Sequence, residues 1–91
     1  MSGTMSAVVR IANKRGLHAR ASAKSVEAAA RVESEITVVK DGQSVNARSI
    51  MGLMMLAASM GSEIEVTAEG ADAHEAITAI VALAGAKFGE E

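Results

Sequence analysis

The stretch Ser62-Glu63-Ile64-Glu65-Val66-Thr67-Ala68-Glu69 alternates without a break, with Ile64, Val66 and Ala68 on one side and Glu63, Glu65, Thr67 and Glu69 on the other. A period of two marks a β-strand with one face in a core and the other in water. After Gly70 the period changes: Ala76, Ile77, Ile80, Val81 and Ala84 recur at helical spacing and form a broad apolar stripe. Asp72 and Glu75 have the spacing of a reciprocal N-terminal cap, and the helix is expected to run to about Lys87. The remaining Phe88-Gly89-Glu90-Glu91 has no periodicity and is expected to fray. A half-wet strand leading into an amphipathic helix calls for a sheet covered by helices on one face only.

The chain before Ser62 fits that demand. Ser49 can accept a hydrogen bond from the free amides that open a helix, and Ile50, Leu53, Met54 and Ala57 follow at helical spacing up to Gly61, which is expected to close it. Upstream, Ile36 and Val38 belong to one strand and Val45 and Ala47 to another running from Gln43 to Arg48, joined by Asp41-Gly42, a dipeptide suited to a tight hairpin. The alanine-rich run from Ala19 to Val32 predicts a helix packing through Ala19, Ala23, Val26 and Ala30. A first strand between Ser6 and Asn13 carries Ala7, Val9 and Ile11 on its apolar side. The order β-α-β-β-α-β-α therefore predicts an α+β fold, a two-layer open-faced β-sandwich with three helices on one face of a four-stranded sheet. The 91 residues read as one domain, 1–91, with an ordered core over about 6–87.

Composition excludes several function classes. Hydrophobic residues make up 49% of the chain and aromatics only 1%, so the core must be built from Ala, Val, Ile, Leu and Met. With no cysteine there is neither a disulfide framework nor a thiolate metal site, which fits a cytoplasmic location. Nine Lys and Arg against eleven Asp and Glu give a net charge of -2, no field for nucleic acid, and the wet face of the last strand carries Glu63, Glu65 and Glu69 where a single-strand binder needs aromatic platforms. The apolar run Ile50 to Met60 falls far short of the roughly 20 residues that span a bilayer. The first five residues have neither the basic start nor the apolar run of a secretory signal. No cofactor motif, metal-ligand cluster or catalytic carboxylate pair is present, so neither cofactor nor metal is expected.

Chemistry near neutral pH rests on two histidines. His74 sits in the first turn of the last helix with Asp72 and Glu75 nearby and no basic partner, and reads as a surface residue. His18 follows the polar loop Asn13-Lys14-Arg15-Gly16, stands where a helix begins, and has Arg20 two residues on. Free amides and positive charge around an imidazole favour its neutral, nucleophilic form and then stabilise an attached phosphoryl group. On these grounds alone His18 is either such an acceptor or a plain surface histidine at a helix start.

Gly16-Leu17-His18-Ala19-Arg20, followed by Ser49-Ile50-Met51-Gly52-Leu53-Met54, resembles the HPr family, the histidine-containing phosphocarriers of bacterial phosphotransferase systems. The likeness runs from about Val8 to Leu83, and both motifs fall at the family's separation. It implies an antiparallel sheet of order 1-4-2-3, a cytoplasmic monomer, and a carrier rather than an enzyme. It also implies that His18 is phosphorylated on Nδ1 by enzyme I and passes the group to an enzyme IIA, that Arg20 contacts the phosphoryl group, and that Ser49 is the substrate of a dedicated kinase/phosphorylase. The run Asn13 to His18 looks more like the nitrogen-related branch of the family.

The family usually has proline after the arginine; here Ala21 stands there and the chain has no proline. Alanine keeps the helix but leaves its start less rigid, which puts the transfer rate in question. Ile50, Met51 and Met54 are candidate partner contacts, because a short helix so crowded with apolar residues cannot bury all of them. The rival to a carrier is an HPr-like regulator that acts by binding alone.

Overall fold

The chain, described here over residues 3–90 of a computed structural model, forms β1 (Gly3–Arg10), α1 (Ala19–Ala30), β2 (Glu35–Lys40), β3 (Gln43–Asn46), α2 (Ile50–Met55), β4 (Glu63–Gly70) and α3 (Ala73–Gly85), then a 3-10 turn over Lys87–Gly89. The strands make one antiparallel sheet in the order β1-β4-β2-β3, as expected. Its register lines up Ala7, Val66, Val38 and Val45 in one row across all four strands. Every second residue of β4, namely Ile64, Val66 and Ala68, is buried, while Glu63, Glu65 and Glu69 face water. Asp41 and Gly42 both take positive φ in the β2–β3 hairpin, the conformation its two-residue turn requires. No helix among the described residues is long and apolar enough to cross a membrane.

The helices depart from expectation in detail. α1 packs through Ala21, Ser22, Ser25 and Ala29, whereas Ala19 and Ala30 are exposed and Ala23 and Val26 only half-buried. The serines can be buried because each hydroxyl donates to a main-chain carbonyl close by, Ser22 Oγ to Leu17 O and Ser25 Oγ to Ala21 O. α2 ends at Met55, well before Gly61: Ala57 takes a positive φ of 53° and turns the chain, and Gly61 serves the approach to β4 instead. Of the apolar residues of α2 only Leu53 is buried. On α3, Val81 faces solvent.

Asp72 sits at the start of α3 but makes no side-chain cap there. Its carboxylate instead accepts hydrogen bonds from the main-chain amides of Glu33 and Ser34, both at 2.9 Å, and from the Ser34 hydroxyl. It thus ties the α1–β2 turn to the α3 start, and these bonds, the Ser34 hydroxyl first, hold its carboxyl below the usual carboxylate range.

The largest departure is at the end of the chain. Phe88, expected in a frayed tail, is only 2% exposed and belongs to the core, and its carbonyl accepts a 2.8 Å hydrogen bond from Lys24 Nζ of α1. Lys87 and Phe88 both adopt left-handed φ, near 55°, which swings the chain back across α1 after α3 ends. Burying the ring offsets the strain, which is about 1–2 kcal/mol for each non-glycine residue in that region. Ordered structure therefore reaches past both limits of 6–87, since β1 begins at Gly3; Met1, Ser2 and Glu91 lie outside the described residues.

Candidate functional site

The loop before His18 is held from three sides. Gly16 has φ +64° and lies so close to the chain after α2 that a Cβ there would stand 2.3 Å from the Ala58 carbonyl oxygen. The next amide, of Leu17, donates to that same oxygen at 2.9 Å. From the other side, Asn13 Nδ2 donates to the Gly16 carbonyl at 2.8 Å, and the buried Leu17 side chain anchors the segment in the core.

His18 emerges from this anchored loop as the N-cap residue of α1, with extended backbone and its carbonyl accepting the first helical bond from Ser22 N at 2.9 Å. Its side chain makes no capping bond. Nε2 instead meets Glu90 Oε2 at 2.5 Å, and the ring keeps 22% of its surface exposed. Among the described residues Nδ1 has no hydrogen-bond partner. The amides of the first turn of α1 likewise have no intrahelical acceptor, so the ring stands at the positive end of the helix.

Two concavities adjoin at Arg15, one lined by Glu90 and the other by His18. Lys14, Arg15, Arg20, Gly89 and Glu90 line a basin with three cationic side chains. Arg15, Leu17, His18, Met54 and Ala57 to Ser59 line a shallower groove beside it, so α2 and the cationic loop border the same histidine. The structure thus puts His18 and Met54 in one groove and Arg20 in the adjoining basin, with Arg15 common to both. Ser49 sits at the other end of α2, as its N-cap, with its hydroxyl accepting from Gly52 N at 3.0 Å. Ile50 and Met54 are each 40% exposed and Met51 68%; Met55 and Met60 extend the apolar surface beyond the three residues expected. His74 is exposed on α3, and among the described residues no cluster of acidic and histidine side chains could hold a metal ion.

Asn13 and Glu90 are the site residues that sequence reasoning missed. Asn13 is fully buried, and its amide nitrogen reaches across 77 positions to Glu90 Oε1 at 3.0 Å. That bond first, then the His18 contact and the charge of Arg15, hold the Glu90 carboxyl below its ordinary range despite partial desolvation. The one available signal was Phe88, an aromatic residue in a tail otherwise free of hydrophobic groups.

An open-faced sandwich that presents a partly exposed histidine at the start of α1, in a groove shared with Arg15 and Met54, suits a group carrier. The family model for the PTS HPr component phosphorylation site matches residues 5–85, and the chain belongs to the HPr family of phosphocarrier proteins of the phosphotransferase system. It is 50% identical over 82 residues to the phosphocarrier protein HPr of Neisseria meningitidis serogroup A, covering 90% of this chain and 92% of that one. It is 45% identical over 82 residues to the phosphocarrier protein NPr of Shewanella violacea, covering 90% of each. The crystal structure of HPr-C-His from Thermoanaerobacter tengcongensis superposes with a TM-score of 0.92 at 48% identity, covering 96% of this chain and 98% of that one.

Proposed function

We propose that the protein accepts a phosphoryl group on Nδ1 of His18 from phosphorylated enzyme I and hands it to an enzyme IIA. The observation that carries this reading is the state of the ring: Nε2 is engaged by Glu90, while among the described residues Nδ1 has no partner, and Arg15 lines the same groove as the ring. In the step, the Nδ1 lone pair forms the new N–P bond while the P–N bond to the donor histidine breaks and its electron pair returns to the donor ring. Arg20, with Lys14 and Arg15, offsets the charge of the transferred group. The carrier supplies only nucleophile and charge, so each partner completes the in-line site on docking.

Ile50, Met51 and Met54 are the apolar contacts for those partners, and methionine's flexible side chain suits a surface that must fit more than one. Ser49 is a regulatory phosphorylation site for a serine kinase/phosphorylase. A phosphate there adds about 1.5 to 2 negative charges at the start of α2, opposing docking while favouring the helix. The protein acts as a cytoplasmic monomer, because a carrier must leave His18 accessible to successive partners.

Intact mass after incubation with phosphoenolpyruvate and enzyme I tests the reading. One acid-labile phosphoryl group, absent from His18→Ala, is the expected result. No gain of mass while enzyme I phosphorylates itself would leave a regulator that acts by binding alone.

A further inference from the structure

The chain has six methionines and no Cys, Trp or Tyr, so its thioethers are the groups that a two-electron oxidant meets first. Three of them lie on α2. Met51, Met54 and Met55 stand at positions i, i+3 and i+4, which puts them on one face of the helix, opposite the buried Leu53. Met55 is 66% exposed, close to the value for Met51, and Met54 lines the groove that holds the His18 ring. Met60 is exposed further along the chain, and Met5 pairs with Ala68 near the far end of β4. None of the five described methionines belongs to the buried core, so each can take up an oxygen atom without loss of a core contact.

We infer that Met51, Met54 and Met55 form an oxidation site that closes the partner face: a peroxide converts them to sulfoxides, which oppose docking and leave the fold and His18 intact. This rests on the reading of that face as the surface that receives enzyme I. In the step a sulfur lone pair attacks the peroxide, and an S–O bond forms as the O–O bond breaks. The departing hydroxide takes the proton of the transferred oxygen and leaves as water; sulfur is oxidised by two electrons and the peroxide is reduced. A thioether is apolar and flexible, whereas its sulfoxide is polar and carries an oxygen that docking must strip of water. Sulfur atoms that face solvent are also open to a thiol-dependent sulfoxide reductase, which makes the change reversible. A rival use of the same cluster, as a scavenger that spends peroxide without consequence, predicts oxidation with no effect on transfer.

The test uses the full chain as wild type, as the triple variant Met51→Leu, Met54→Leu, Met55→Leu, and as the double variant Met5→Leu, Met60→Leu. Leucine keeps volume and apolar character without the sulfur. Each protein is treated with hydrogen peroxide, freed of it with catalase, and compared with its own untreated sample. Peptide masses should place one oxygen on each of the three α2 residues of wild type, with Tm unmoved. In phosphorylation by phosphorylated enzyme I, treatment should raise KM of wild type and of the double variant roughly tenfold, with kcat little changed, the scale of leaving one acceptor oxygen unsatisfied. KM of the triple variant should not respond to peroxide, and methionine sulfoxide reductase with dithiothreitol should restore wild type. An unchanged KM in oxidised wild type establishes the scavenger and overturns the inference. An equal loss in the triple variant, or a fall in kcat alone, also overturns it and places the damage at His18. If untreated wild type takes up no phosphoryl group, the carrier reading itself fails and the inference falls with it, an outcome the untreated samples report before any peroxide is added.

Discussion

Gly16 and Ala58 are in such close main-chain contact that no side chain fits between them, and this contact ties the loop before His18 to the chain after α2. Gly16→Ala adds a Cβ against a carbonyl oxygen that is itself bonded to Leu17 N, and does so at positive φ. The left-handed backbone alone costs about 1–2 kcal/mol, and the clash adds to it. Urea unfolding should show a loss of at least that size, and phosphorylation of His18 should slow even under conditions where the variant is folded. A variant with wild-type stability would mean that the chain after α2 moves aside freely.

Phe88 is the one residue among Phe, Tyr and Trp in the chain and sits at the core end of the tail. Phe88→Ala should cost about 3–5 kcal/mol, a large part of the stability of a small domain. Phe88→Leu should cost far less. Equal, small losses for both, by chemical denaturation, would return the tail to the frayed state its lack of periodicity suggested.

Asp72 links stability to pH. Its folded-state carboxyl is lowered by the Ser34 hydroxyl and by the Glu33 and Ser34 amides, so its contribution is complete above the unfolded value, about 4, and is lost as pH falls through the lowered folded value. Glu90, also lowered, acts with the same sign. The urea midpoint of wild type should fall on acidification below about pH 4. That of Asp72→Asn should start lower and fall less, and an identical acid slope in the two proteins would contradict the assignment.

Ala21 occupies the first turn of α1, and the first main-chain bond of the helix is made one residue later, by Ser22 N to His18 O. Proline at this place therefore removes no intrahelical bond. Ala21→Pro should stabilise by about 0.4–1 kcal/mol through the unfolded chain, raising Tm by a few degrees. A lower Tm would show that the buried surroundings of Ala21 cannot admit the ring.

Ser49→Asp keeps an N-cap acceptor at α2 while adding charge beside Ile50 and Met51. It should slow phosphorylation of His18 by enzyme I without lowering Tm. Equal rates for variant and wild type would remove the regulatory role of that position.

The sheet was legible because its evidence is local: alternation at Ile64, Val66 and Ala68, and a turn dipeptide at Asp41-Gly42, each act within a few residues. The place of His18 between a polar loop and a helix start, Ser49 as an N-cap, and a methionine surface on α2 were legible for the same reason. The face of α1 was not, because Ser22 and Ser25 count as polar in any periodicity and become buriable only once their hydroxyls have found carbonyls in the folded backbone. Asp72 matched a cap by spacing, but it met better donors from a turn 38 and 39 residues away. Asn13 and Glu90 were hidden for the strongest form of this reason, since neither has a pattern of its own and their bond joins positions 77 residues apart.

The dearth of aromatic groups leaves the molecule almost transparent to observation, and that helps the experimenter. With no Trp or Tyr, the aromatic proton spectrum contains three rings, His18, His74 and Phe88. Two of them flank the same short tail, one in its anchor and one at its carboxylate, while the third lies exposed on α3 as an internal reference. Each docking, release or phosphorylation event should therefore move resonances in a window that, once the N–H protons are exchanged in D2O, holds almost nothing else, so the unlabelled protein carries its own reporters of the tail and the acceptor together.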